Sequence, residues 1–93
     1  MKSLSIIEIE KLLRKYPNWE YQNEFIQRNL KFSSFKKTID FLNEVAAIAE
    51  LKNHHPKLIN NYNSLIIQLS THDVNGISEK DFDLAEAIDK LNL

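Results

Sequence analysis

SFKKTIDFLNEVAAIAELKNHHP, residues 34–56, decides how this chain folds. Phe35, Thr38, Ile39, Leu42, Val45, Ala46 and Ala49 recur at i, i+3, i+4 and i+7, the spacing of one buried helical face. Ser33 or Ser34 offers an oxygen to cap its first turn. Phe41 and Ile48 widen the stripe on one flank, giving more apolar surface than one sheet face needs. Pro56 stops the helix, because its ring disfavours the helical conformation at the residue before it. His54 and His55 therefore stand in the helix exit. Glu50 lies on the opposite rim near the C-terminus, where a carboxylate opposes the helix dipole, so helix stability does not explain it.

Working toward the N-terminus, residues 5–15 predict a first helix, with Ile6, Ile7, Ile9, Leu12 and Leu13 on a broad apolar face. Ser3 or Ser5 is its expected N-cap, and Pro17 ends it. Trp19 and Tyr21 alternate with Glu20 and Gln22, a short strand. Beyond a turn at Asn23, Ile26, Leu30 and Phe32 mark a second strand, whose pattern Arg28 interrupts; a bulge is the expected remedy.

Toward the C-terminus, Leu58-Ile59 and residues 64–71 flank Asn60-Asn61-Tyr62-Asn63, a hairpin with asparagines suited to left-handed turn positions. Leu65, Ile67, Leu69 and Thr71 share one face of the longer strand. Ile66, Gln68, Ser70 and His72 share the other, which puts His72 at the strand end. Ser78-Glu79-Lys80-Asp81 reads as a capping box with Asp in place of Glu, opening a last helix with Phe82, Leu84, Ala85, Ile88 and Leu91 inward. The expected fold is α+β, in the order α-β-β-α-β-β-α: a four-stranded antiparallel sheet with helices packed on one face. Residues 1–93 are read as one domain.

Composition narrows the function. There is no cysteine, so thiolate chemistry, disulfides and thiolate-zinc sites are excluded. Twelve basic and thirteen acidic residues give a net charge of -1, without the basic excess of a nucleic-acid groove. No apolar run approaches a membrane span. Glu8 and Glu10 interrupt the apolar N-terminal pattern, unlike a signal peptide. A soluble protein of the cytoplasm is expected, with no direct nucleic-acid or membrane partner. Trp19, Phe25, Phe32, Phe35, Tyr62 and Phe82 fall on helical or strand periodicity, as core aromatics do.

All three histidines, His54, His55 and His72, lie between Glu50 and Asp81. Imidazole exchanges protons near neutrality, so the cluster points to proton transfer, to a metal site, or to incidental polar residues. The metal spacing is poor: His54 and His55 diverge, leaving only a zinc set of His54, His72 and Glu50 or Asp81. No serine sits in a nucleophile elbow, and the lone Gly76 cannot build a phosphate loop. Acid/base chemistry by imidazoles with nearby carboxylates remains.

At these residues the chain resembles the pterin-4a-carbinolamine dehydratase family. The resemblance rests on Glu50, His54, His55, Pro56, Tyr62, His72 and Asp81 at the family's spacing, and it runs from about Leu12 to Ile88. Pro17-x-Trp19, Phe32-x-x-Phe35, Val45-Ala46, Thr71-His72-Asp73 and Leu84-Ala85 match as well. One departure is Asn53, acidic in some relatives, which bears on substrate contact.

The resemblance implies the four-stranded fold and a homodimer or homotetramer that covers the flank at Phe41 and Ile48. It also implies a reaction: 4a-hydroxytetrahydropterin loses water to give quinonoid dihydropterin, restoring the cofactor of an aromatic amino acid hydroxylase. By carry-over, His54 and His72 give or take protons at C4a, and His55 orients the pterin. Glu50 holds the His54 imidazole. Asn53, Pro56, Ser70, Thr71 and Asp73 line the substrate, and Asp81 completes the set as cap or catalytic group. No metal or organic cofactor is implied, because the pterin is substrate. The competing reading is a non-catalytic interaction module of the same fold, a dimerisation cofactor for a homeodomain transcription factor.

Overall fold

Ser5 begins the regular structure by accepting from the Glu8 N–H, while the Ser5 N–H donates to the Glu8 carboxylate at 2.9 Å. The computed structural model describes residues 1–91. Among them, the elements are α1 (Ile6–Leu13), β1 (Glu20–Gln22), β2 (Phe25–Lys31), α2 (Phe35–Lys52), β3 (Lys57–Asn61), β4 (Ser64–Leu69) and α3 (Glu79–Asp89). The strands form one antiparallel sheet in the order β1-β2-β4-β3. The α-β-β-α-β-β-α order expected from the sequence is the order found.

The two hairpins use residues in the left-handed region. Asn23 and Glu24, at φ 51° and 69°, close β1 on β2, the geometry of a two-residue hairpin matched to strand twist. Between β3 and β4 the left-handed residue is Tyr62, at φ 54°, rather than an asparagine. The asparagines brace the turn instead: Asn60 donates to the Tyr62 and Ser64 carbonyls, and Asn63 to the Phe32 carbonyl. The Tyr62 ring stacks on Phe35, with centroids 6.5 Å apart.

The registers place Tyr21, Ile26, Leu30, Leu58, Leu65, Ile67 and Leu69 on one face of the sheet. That face packs against Ile9 of α1, Phe41 and Val45 of α2, and Phe82, Leu84, Ala85 and Ile88 of α3. The helices thus cover one side, as expected.

Three expectations need correction. Arg28 makes no bulge: β2 stays in unbroken register with β4, and the side chain points into the core. Its Nη1 donates to Asp89 Oδ1 at 2.7 Å, and Trp19 Nε1 donates to the same oxygen at 2.9 Å. A paired guanidinium can thus occupy a face the apolar pattern reserves for carbon. In α1, Ile6 and Ile7 are exposed and only Ile9 is fully buried, because a helix of two turns meets the core along a narrow line. In α2 the buried line is Thr38, Phe41, Val45 and Ala49. Phe41 is therefore core rather than surplus, while Phe35 is exposed and Ile39, Leu42 and Ala46 are half-buried.

Candidate active site

The exit of α2 is a Schellman closure. Asn53 adopts the left-handed conformation, with φ 50° and ψ 43°; its N–H reaches the Glu50 carbonyl and the His54 N–H reaches the Ala49 carbonyl. Asparagine tolerates that conformation better than most residues, which gives Asn53 a structural reason to stand there. The turn aims His54 across to α3, and Pro56 leads the chain directly into β3.

β4 ends at Leu69, sooner than the alternation suggested. Thr71 pairs with Gly76 across a tight loop, its N–H donating to the Gly76 carbonyl at 2.7 Å. Within that loop His72–Val74 form one 3₁₀ turn, closed by left-handed Asn75. His72 therefore sits on this turn rather than in a strand, and it is exposed. Gly76 has little room for a side chain, since a Cβ would lie 3.3 Å from the Ser3 side chain.

His54, His55 and His72 line one cavity of about 260 Å³, together with Asn53, Ser70, Thr71, Asp73 and Lys80. The expected residues Glu50, Pro56 and Asp81 do not line it. A second hollow of about 180 Å³ lies beside it and shares Ser70, Thr71 and His72. Lys80 escaped the sequence reading, though a signal existed. A cation in the first turn of a helix opposes the dipole, as Glu50 does at the other end of α2.

The carboxylates pair differently from expectation. Glu50 Oε2 meets His55 Nε2 at 2.5 Å, on the exposed rim. His54 belongs to Asp81: Nε2 lies 2.6 Å from Oδ1. Glu50 and His55 are five residues apart across the helix exit, so the closure turns His55 back over the last turn. Asp81 is fully buried at the third position of α3 and does two things at once. Its Oδ2 accepts the Ser78 N–H at 3.0 Å as the capping box requires, and Oδ1 faces His54.

Of the carboxylates in the alternative zinc set, Glu50 lies with His55 and only Asp81 lies with His54. Among the described residues no group of three or more His, Asp or Glu side chains is placed to hold a metal ion. No described helix is long and apolar enough to cross a membrane. What the cavity offers is polar: two imidazoles backed by carboxylates, a third on its lip, an amide, two hydroxyls, a carboxylate and an ammonium. Such groups can hydrogen-bond a polar ligand and exchange protons with it.

The fold and the cavity together define a class: a small α+β domain whose helix exit and 3₁₀ turn present histidines to one polar hollow. Comparison with known proteins gives the family. The chain belongs to the pterin 4 alpha carbinolamine dehydratase family, whose model matches residues 2–91. A Sulfurisphaera tokodaii protein, provisionally named pterin-4-alpha-carbinolamine dehydratase, is 42% identical over 98% of both chains. A protein of the same provisional name from Picosynechococcus is 41% identical over 95% of this chain and 96% of its own. The crystal structure of a transcriptional coactivator/pterin dehydratase from Brucella melitensis superposes with a TM-score of 0.90. It is 32% identical, covering 95% of this chain and 96% of its own.

Proposed function

We propose that this chain removes water from 4a-hydroxytetrahydropterin to give quinonoid dihydropterin, with His54 and His72 moving the protons. The observation that carries the proposal is the convergence of all three imidazoles on one cavity. In the reaction the C4a–O bond breaks and the departing oxygen takes up a proton to leave as water. N5 gives up its proton as the C4a=N5 double bond forms. One group must donate and another accept near neutrality, which suits two imidazoles that line the same hollow. A positioned acid or base contributes ~10²–10⁴-fold.

His55, on the rim and paired with Glu50, orients the ring. Asn53, Ser70, Asp73 and Lys80 surround it with the donors and acceptors that the pyrimidinone edge and C4a oxygen need. Thr71 and Asp81 act from beneath, and Pro56 holds the direction of the helix exit. The product returns to an aromatic amino acid hydroxylase, whose reaction generates the carbinolamine. The setting is cytoplasmic, and the assembly is a homodimer or homotetramer. Half-buried Ile39, Leu42 and Ala46, with exposed Phe35, leave α2 an apolar flank for a partner copy.

The Brucella relative, a transcriptional coactivator/pterin dehydratase, favours a second reading, an interaction module that uses helix surfaces. The two separate cleanly. Dehydration is followed spectrophotometrically on freshly made 4a-hydroxytetrahydropterin, with and without a chelator. The proposal expects catalysis that the chelator leaves unchanged; a rate equal to the spontaneous one leaves the interaction module.

A further inference from the structure

Beneath the cavity floor, four groups from β4's exit and the start of α3 form a chain of hydrogen bonds that ends on His54. The Lys80 N–H donates to Ser78 Oγ at 3.2 Å. Ser78 Oγ and Thr71 Oγ1 are 2.6 Å apart, and Thr71 Oγ1 donates to Asp81 Oδ2 at 2.8 Å. Asp81 Oδ1 faces His54 Nε2. Thr71, Ser78 and Asp81 are all buried, so water does not share these bonds.

The directions follow from what each hydroxyl can do. A hydroxyl has one proton to give. Thr71 spends its proton on Asp81, so it must accept from Ser78. Ser78 accepts from the Lys80 N–H and keeps its own proton free for Thr71. The Ser78 N–H also donates to Asp81 Oδ2. Every proton in the chain therefore points toward the Asp81 carboxylate, which acts only as an acceptor. Its remaining oxygen demands a donor, and His54 Nε2 is the partner present.

We infer that Thr71 and Ser78 are positioning residues: by holding Oδ2 they fix the orientation of the Asp81 carboxylate, keep Oδ1 on His54 Nε2, and so fix neutral His54 as the Nε2–H tautomer. The lone-pair nitrogen is then Nδ1, on a ring that lines the cavity. The inference deepens the dehydration proposal, in which His54 would meet the pterin as a base through Nδ1, and its consequence for rate rests on that reading. The tautomer itself does not. Carboxylates that orient an imidazole in this way are widespread. Here the carboxylate is itself oriented, by two hydroxyls seven residues apart in sequence.

The test is the long-range proton–nitrogen NMR spectrum of the imidazoles in ¹⁵N-labelled protein, at a pH where the rings are neutral. The wild type should show His54 with a protonated Nε2 and an unprotonated Nδ1. Thr71→Val should convert that pattern to a mixture of tautomers, and Thr71→Ser should restore it. In the dehydration assay Thr71→Val should lower kcat about tenfold, as lost outer-shell partners do, with KM within twofold, and Thr71→Ser should recover most of it. If Thr71→Val fails to fold, Ser78→Ala is the second variant, and a partial mixture is expected. A wild-type Nδ1–H tautomer, or a pattern unmoved by Thr71→Val or its substitute, overturns the inference whatever the protein does to a pterin. A wild type that does not dehydrate the carbinolamine overturns the proposed reaction, while the spectrum still decides the tautomer.

Discussion

Asp81 Oδ1 lies 2.6 Å from His54 Nε2, joining the first turn of α3 to the residue after the closure of α2. The carboxylate is fully buried and the imidazole nearly so. One side chain thereby caps a helix and aims a histidine at a cavity. Sequence separation of 27 residues makes the contact a product of the tertiary fold.

Asp81→Asn should expose that link. The amide keeps the size and can still accept the Ser78 N–H, but its nitrogen would donate toward His54 and favour the opposite tautomer. We expect kcat for dehydration to fall by at least ~10²-fold, in the range of a lost acid or base, with a native circular dichroism spectrum. A rate within threefold of wild type would refute the role.

Glu50→Gln should barely change stability. The Glu50–His55 pair is mostly exposed, and such pairs contribute about 0–1 kcal/mol. Urea unfolding of the two proteins should give free energies within about 0.5 kcal/mol of each other. A loss above 1.5 kcal/mol would place Glu50 in a buried network that the structure does not contain.

The helix that decides the fold was legible; the phase of its buried face was not. Periodicity at 3.6 residues locates α2 to within a few residues. Its stripe, however, spans Phe35, Ile39, Leu42 and Ala46 on one side and Phe41, Val45 and Ala49 on the other. Which edge turns inward depends on where α3 and β4 stand, and that is long-range information. The histidine cluster was legible too, because the chain's three imidazoles and a helix-stopping proline fall so close together. Which carboxylate serves which imidazole was not. Glu50 is near His54 in sequence, but the helix closure sends His54 to α3 and leaves Glu50 to His55. Arg28 hid for a similar reason, since its partner Asp89 is 61 residues away.

Phe41→Ala should therefore cost more than Leu42→Ala. Phe41 is 2% exposed and packs on Phe32 at 5.4 Å between ring centroids, whereas Leu42 is half-buried. Removing a buried phenylalanine costs about 3–5 kcal/mol, and Leu42 should fall below that range. Chemical denaturation of both variants checks the order. The reverse order would mean that a partner copy, rather than the monomer core, holds α2.

Asp89→Ala should cost about 3 kcal/mol, the scale for breaking a largely buried pair, because it strands both the Arg28 guanidinium and the Trp19 N–H. A thermal midpoint unchanged from wild type would show that water satisfies both.

The cap of α1 carries a pH signature. The Ser5 N–H bonded to Glu8, followed by the Ser5 hydroxyl, holds the Glu8 carboxyl below its ordinary 4.5. A depressed carboxyl stabilises the fold above its unfolded value, and that contribution is lost as pH falls through the lowered folded value. The exchange protection of α1 relative to α2, corrected for intrinsic rates, should therefore be constant above about pH 5 and fall as pH drops below 4.5. Glu8→Gln should remove the dependence, and a profile identical in both proteins would contradict the assignment.

The central claim is that imidazoles from the α2 exit and the 3₁₀ turn act together on one substrate. Single-turnover dehydration of 4a-hydroxytetrahydropterin by wild type, His54→Ala and His72→Ala tests it most directly. The proposed reaction predicts a fast wild type and losses of ~10²-fold or more in each variant, with the fold intact. Wild-type rates in both variants would contradict it.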